Sequence, residues 1–270
     1  MKKSLIFCSL AMGSTMLFTG CFLPKSHSMG ASLMPAPMQH RMDASATNQQ
    51  WSVAASGFYS HEFSESDNLK DMNGGGGVAN VTYRLGGSLS PLFVNAAVGG
   101  FAGTLKFDCS DEDCKESSGS TKYREWLETR QGKDSYTFWN LQERILLGAD
   151  LNLGPYLILG AAAGAQFFQG SSDYDDMREK LDDEKIMEDV DGKNGVKFTS
   201  SVWVGSHLGR RGEFGHISAE LDMLYEGGPL NDANTYGVKL TYAHPSGFFG
   251  GLQKGSLSDV TFYFGKEFIF

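Results

Sequence analysis

The sequence predicts an all-β fold, an antiparallel up-and-down transmembrane β-barrel of eight or ten strands. Three observations predict it. Apolar and polar residues alternate with period two over most of the chain after Trp51, the rhythm of strands with one greasy and one wet face. Glycine is abundant at 34 residues and proline scarce at 7, which favours many strands joined by tight turns. The chain also ends on a phenylalanine-dense strand, D-V-T-F-Y-F-G-K-E-F-I-F over 259–270. There Val260, Phe262, Phe264, Phe268 and Phe270 share one face, broken by Lys266, while Thr261, Tyr263, Gly265, Glu267 and Ile269 share the other.

Composition narrows the function. The formal net charge is -9, so neither a nucleic-acid groove nor a patch for anionic membrane surfaces is expected. The mean hydropathy of -0.26 is compatible with a membrane barrel, because each strand puts only every second residue into lipid.

Taken in order, residues 1–20 read as a secretory signal. Lys2 and Lys3 precede an apolar run over 5–18 that is short for a spanning helix. Residues 22–50 mix Pro, Met, Ser, Ala and Gln without periodicity, so 21–50 is expected to be a flexible tether to a barrel at 51–270. Soft-metal capture by Met29, Met34, Met38 and Met42 is the alternative for that stretch, and a mere tether is the expectation.

The strands follow. Residues 51–63 set Trp51, Val53, Ala55, Gly57 and Tyr59 against Ser52, Ser56, Ser60 and Glu62. Over 78–85, Ala79, Val81, Tyr83 and Leu85 oppose Asn80, Thr82 and Arg84, and G-G-S-L-S-P turns the chain into a poorly alternating strand at 92–107. The clearest alternation lies over 137–153: Trp139, Leu141, Ile145, Leu147, Ala149, Leu151 and Leu153 oppose Asn140, Gln142, Arg144, Gly148, Asp150 and Asn152, with Glu143 breaking the apolar side. Further strands are read at 156–169, 196–208, 214–226 and 236–244. With the terminal strand these make nine segments, so either 244–258 hides another strand or one segment does not span.

Residue size orients the faces. A soluble barrel would show water a face of long Lys and Glu chains, whereas the polar faces here carry Gly148, Gly160, Ala162, Gly164, Gly205, Gly237 and Gly265 among Ser, Thr and Asn, which suits a crowded interior. The charges among them, Arg84, Arg144, Lys197 and Lys239 against Glu62, Asp150, Glu220, Asp222 and Glu267, are close to balance, as a closed lumen needs if its ions are to be paired. Trp51, Tyr59, Trp139, Tyr156, Tyr225 and Tyr236 lie towards strand ends, where interfacial girdles place amphipathic rings. Long polar connections at 64–77, 108–135, 170–195 and 227–234 alternate with short turns near Ser88, Gly154 and Arg211.

The carboxy-terminal strand resembles the assembly signal of bacterial outer-membrane β-barrels, with Phe262, Phe264, Phe268 and Phe270 as its aromatics. The resemblance implies a home in the outer-membrane bilayer, the barrel-assembly machinery as a partner, and long loops outside with short turns inside. L-F-T-G-C at 17–21 resembles the lipobox of bacterial lipoproteins, with Phe18 where Leu is commoner. That resemblance implies cleavage before Cys21 and a diacylglycerol on its sulfur. Phe22 follows, where an inner-membrane retention signal would place Asp, so the anchor is expected in the outer membrane. Of the other cysteines, Cys8 leaves with the signal, and Cys109 and Cys114 flank S-D-E-D, where a disulfide is expected in an oxidising compartment. A cation held by Cys109, Asp111, Asp113 and Cys114 is the alternative.

The acidic loop at 171–194 carries Met177, Leu181 and Ile186 at spacings that allow a short amphipathic helix, and D-V-D-G-K-N-G from Asp189 weakly suggests a calcium loop. No phosphate-binding glycine loop, paired-cysteine zinc pattern or nucleophile elbow occurs, so no cofactor is expected. The leading functional expectation is a non-enzymatic outer-membrane lipoprotein with a structural or surface-interaction role and a lumen filled by side chains. Two alternatives stay open: a periplasmic lipocalin-like carrier of an apolar ligand, and an envelope lipid hydrolase using His216, Ser218 and Asp222, which share a strand face.

Overall fold

The computed structural model describes residues 33–40, 47–61, 69–107, 135–173, 176, 179–180, 194–209, 212–225, 235–255 and 260–270. Ten strands form one closed barrel: β1 (Gln50–His61), β2 (Leu69–Arg84), β3 (Leu92–Phe107), β4 (Ser135–Leu153), β5 (Leu157–Ser172), β6 (Asn194–His207), β7 (His216–Tyr225), β8 (Thr235–Ala243), β9 (Phe248–Lys254) and β10 (Val260–Ile269). Each strand pairs antiparallel with its sequence neighbours, and β1 pairs with β10 to close the ring. At that seam the Phe270 amide donates to the Trp51 carbonyl at 2.8 Å and the Trp51 amide to the Phe270 carbonyl at 3.2 Å.

The strand count is therefore ten. The strand missing from the alternation pattern is β9, F-F-G-G-L-Q-K, whose brevity and paired glycines hide the period. It starts after Gly247, whose φ of 86° lies in the left-handed region that glycine enters without steric cost. The strands also run further into the connections than alternation suggests. The four-glycine run over 74–77 belongs to β2, and β3 alternates over 92–104 once Phe93 and Phe101 are counted on its inner face.

The apolar faces point outward. Trp139, Leu147 and Phe264 are 49%, 64% and 63% exposed on the outer wall, so hydrocarbon can cover them and the barrel axis cannot. This overturns the lipocalin-like carrier, which needs the greasy face turned inward. Aromatic rings gather near both rims: Trp51 and Tyr83 pack with centroids 4.5 Å apart at the short-turn end, and Tyr59 donates to Asn73 at 2.8 Å near the other. Lys266, the break in the terminal strand, lies towards the short-turn end with its Nζ 4.6 Å from the Phe248 ring centroid and 5.2 Å from that of Phe268. From there its stem can follow the apolar wall while the ammonium reaches the headgroup level.

The inner wall carries large aromatics that the size argument passed over, and the glycines are their sockets. A Cβ at Gly103 would stand 2.7 Å from Phe138 Cζ, one at Gly160 2.5 Å from Trp203 Cε2, and one at Gly265 2.5 Å from Phe249 Cζ. Each bulky ring thus fills the space that the facing residue leaves empty. Phe58, Phe101 and Phe138 stack edge-on through centroid distances of 6.0 and 5.5 Å. Met38, Phe93, Leu146, Ile158, Ala162 and Trp203 form a second apolar cluster.

Leu147 lies on the lipid-facing side about midway between Trp139 and Tyr156, so Leu147→Lys is expected to oppose bilayer insertion by about 2–4 kcal/mol. Folding titrations into phospholipid vesicles, read by heat-modifiable gel mobility, check this; an unchanged midpoint would mean that the outer wall does not meet lipid.

Candidate functional site: the filled lumen

The lumen is occupied by the chain's own amino-terminal segment. Residues 33–40, L-M-P-A-P-M-Q-H, are all buried, with Leu33 and Met34 at 1% exposure and Ala36 at 0%. The expectation of a flexible tether over this part of 21–50 is corrected: these residues are a plug. The local sequence explains how a bare peptide can sit there. It has no Lys, Arg, Asp or Glu, its Leu and Met side chains are apolar, and Pro35 and Pro37 have no N–H to leave unsatisfied. The Ala36 amide turns back onto the Met34 carbonyl at 2.8 Å.

Three further backbone groups of the plug meet charged side chains of the wall. The Ala36 carbonyl accepts from Arg144 Nη2 and from Lys239 Nζ, each at 3.1 Å. The Met38 amide donates to Glu220 Oε2 at 3.0 Å, and Arg84 Nη2 donates to the Gln39 carbonyl. Bonds to ionised partners in a medium of low permittivity are stronger than neutral ones, so the wall grips the peptide by its main chain.

Those wall charges fall into two clusters. In one, Lys239 pairs with Glu220 at 3.4 Å and with Asp222, which also accepts from Ser201; these ions are at most 2% exposed. In the other, Asp150 Oδ2 lies 3.2 Å from Arg84 Nη1 and 3.2 Å from His40 Nδ1, and Asp150 Oδ1 accepts from Trp203 Nε1 at 3.1 Å. The His40 ring sits 5.3 Å from that of His216, which is 6.1 Å from that of His207, and His207 Nε2 meets Asn152 at 3.0 Å. Arg84 also lies over the Phe93 ring at 5.1 Å.

Of the charges predicted for the interior, Arg84, Arg144, Asp150, Glu220, Asp222, Lys239 and Glu267 are buried inside. Lys197 is half-buried, 5.3 Å from the Phe168 ring centroid and away from both clusters. Glu62, Cys21, Cys109 and Cys114 lie outside the described residues, as do Met177, Leu181, Ile186 and the loop from Asp189. Phe262, Phe264, Phe268 and Phe270 stand on the outer wall at 52%, 63%, 49% and 77% exposure. Sequence reading missed His40, Ala36 and Gln39 and named Met38 only as a soft-metal candidate; the signal that could have found the plug is an uncharged P-A-P flanked by Leu and Met in a chain whose longer connections are strongly charged.

His216, Ser218 and Asp222 do point to one side of β7, but among the described residues none of the three hydrogen-bonds another. Asp222 is engaged by Lys239 and Ser201, and His216 packs on histidine rings. Among the described residues, no group of His, Cys, Asp and Glu is placed to hold a metal ion.

No protein-family profile matches the sequence, and no curated protein matches it. Solved structures similar to it include an outer-membrane channel from Pseudomonas putida F1, with 8% identity and a TM-score of 0.43 over 87% of this chain and 100% of that one. OprG from Pseudomonas aeruginosa is similar at 8% identity and a TM-score of 0.35, over 82% of this chain and 97% of that one. Ail, the attachment invasion locus protein of Yersinia pestis, shows 14% identity and a TM-score of 0.30, over 83% and 99%.

Removing Lys239 would strand two buried carboxylates and one carbonyl bond. Lys239→Met is expected to cost about 3–5 kcal/mol, whereas Lys239→Met combined with Asp222→Asn, which removes an unpaired charge, should recover part of it. Urea unfolding in detergent micelles, followed by tryptophan fluorescence, measures both.

Proposed function

We propose that this chain is a bacterial outer-membrane β-barrel lipoprotein that acts without catalysis at the cell surface, its pore closed by its own amino-terminal segment. The observation that carries the reading is the plug. A barrel that transports solute needs a free path, whereas here residues 33–40 fill the interior and bind its charges through their backbone. Ten strands enclose little more than the space that side chains fill, so an eight-residue peptide there leaves no aqueous channel. Function then falls to the surface: the acidic connections at 108–134 and 173–193, the longest between the strands, present their side chains to partners outside the cell, and a disulfide between Cys109 and Cys114 closes one of them.

In the same reading Cys21 carries the lipid implied by T-G-C, and the terminal aromatics from Phe262 to Phe270 engage the assembly machinery. The hydrolase reading has less support, because Asp222 and His216 are committed to the lumen network.

The purified protein is expected to give no steady ion current in planar bilayers, and a variant lacking residues 33–40 to give single-channel steps. Currents of equal size from both proteins would overturn the closed-pore reading.

A further inference from the structure

At its His40 end the plug completes a row of three histidines. His40 comes from the plug, His216 from β7 and His207 from β6, and each is 2% exposed. The His40 and His216 rings meet edge-on, as do those of His216 and His207, and the two wall histidines pair in register. Two carboxylates and one permanent cation surround the row. Arg84 of β2 and His40 both face Asp150 of β4, and Glu267 of β10 lies near the same two groups while accepting from Ser52. β8 sets Ala243 against His216, and Glu213, on the turn before β7, is exposed. Among the described residues, His216 Nδ1 has no hydrogen-bond partner.

Such a row has a counter-charge for one proton and none for the next. A proton on His40 is matched by Asp150, 3.2 Å away. A further proton on His216 falls 5.3 Å from the His40 ring and near Arg84, where burial strengthens repulsion and the carboxylates are already engaged. A buried cation without a partner is relieved only when water reaches it or the opposing charge withdraws. His207 and His216 are held by the β6–β7 ladder, so the group that withdraws is His40. It sits on a peptide fastened at this end by Asp150 and by the Arg84 bond to the Gln39 carbonyl, and Arg84 keeps Asp150 when that bond is lost.

From this arrangement we infer that the protein is a proton-gated pore, in which protonation of the histidine row drives the His40 end of the plug off the wall and lets small hydrated ions pass. Histidine changes charge between about pH 5 and 8, so the gate is shut near neutrality and opens in mild acid. Each proton held only by the open state shifts the balance by up to about tenfold per pH unit. The shift reverses when the proton leaves.

The inference rests on the closed-pore reading proposed above, and bilayer recordings separate the two. The wild type, a variant lacking residues 33–40, and His216→Phe, which removes the middle charge and keeps a ring, are recorded in potassium chloride at about pH 7.5 and about pH 5. Heat-modifiable mobility first shows each to be a folded barrel. The wild type should be closed at the higher pH, open about tenfold more often or better at the lower, and close again on return, while His216→Phe stays closed throughout. A wild type closed at both pH values beside a plugless variant that conducts at both overturns the gate and leaves the closed pore standing. Indistinguishable records from these two proteins overturn both readings. Acid opening of His216→Phe equal to that of the wild type assigns the proton to other groups and overturns the histidine gate. Hydrogen exchange of the wild type in micelles, read by mass spectrometry and corrected for its intrinsic pH dependence, needs no variant. Protection of the plug amides, that of Met38 among them, should fall about tenfold at the lower pH; unchanged protection overturns the gate.

Discussion

Every other feature of the interior follows from the need to pair charges that water cannot reach. Lys239, Glu220, Asp222, Arg144, Arg84 and Asp150 are each nearly inaccessible, and a charge in that setting is tolerated only when opposite charges and hydrogen bonds surround it. Wall partners alone do not complete the set. Arg144, Lys239 and Arg84 each use a donor on the main chain of the plug, and Glu220 accepts from it. The wall and the peptide are therefore one polar network, and the barrel's contents are as much a part of its fold as its strands.

Two kinds of packing hold that network in place. Around it, inward aromatics rest in gaps left by glycines on neighbouring strands, so the inner surface is interlocked although each strand is mostly small residues. Beneath the plug, Met38 joins Phe93, Leu146, Ile158 and Trp203. Its thioether side chain is flexible enough to fill an irregular space between rigid rings. The polar grip fixes the position of the peptide along the axis, and the apolar floor gives it burial.

Much of the fold could be read from the chain. The orientation of the faces followed from glycine and serine standing where a soluble barrel would carry long charged groups, and residues such as Arg144 and Lys239 were placed inside on that argument. What escaped has physical causes. β9 is seven residues with adjacent glycines, too few alternating positions to show a period. Phe93, Phe101 and Phe138 point inward against the expectation that apolar means lipid-facing, because a lumen packed to protein density needs large groups as well as ions. The plug escaped most completely: a segment with prolines, no periodicity and no charge looks the same whether it is solvated or enclosed, and what decides is the set of donors waiting on distant strands.

The mutual bonds between Trp51 and Phe270 join β1 to the end of β10, and this has a consequence for biogenesis. The cylinder cannot be sealed until β10 has been made, yet the peptide it encloses precedes β1 and is made earlier. Wrapping an open sheet around that early segment avoids pulling it through a finished ring, so the order of manufacture favours a sheet that curls about its own leader and zips shut last.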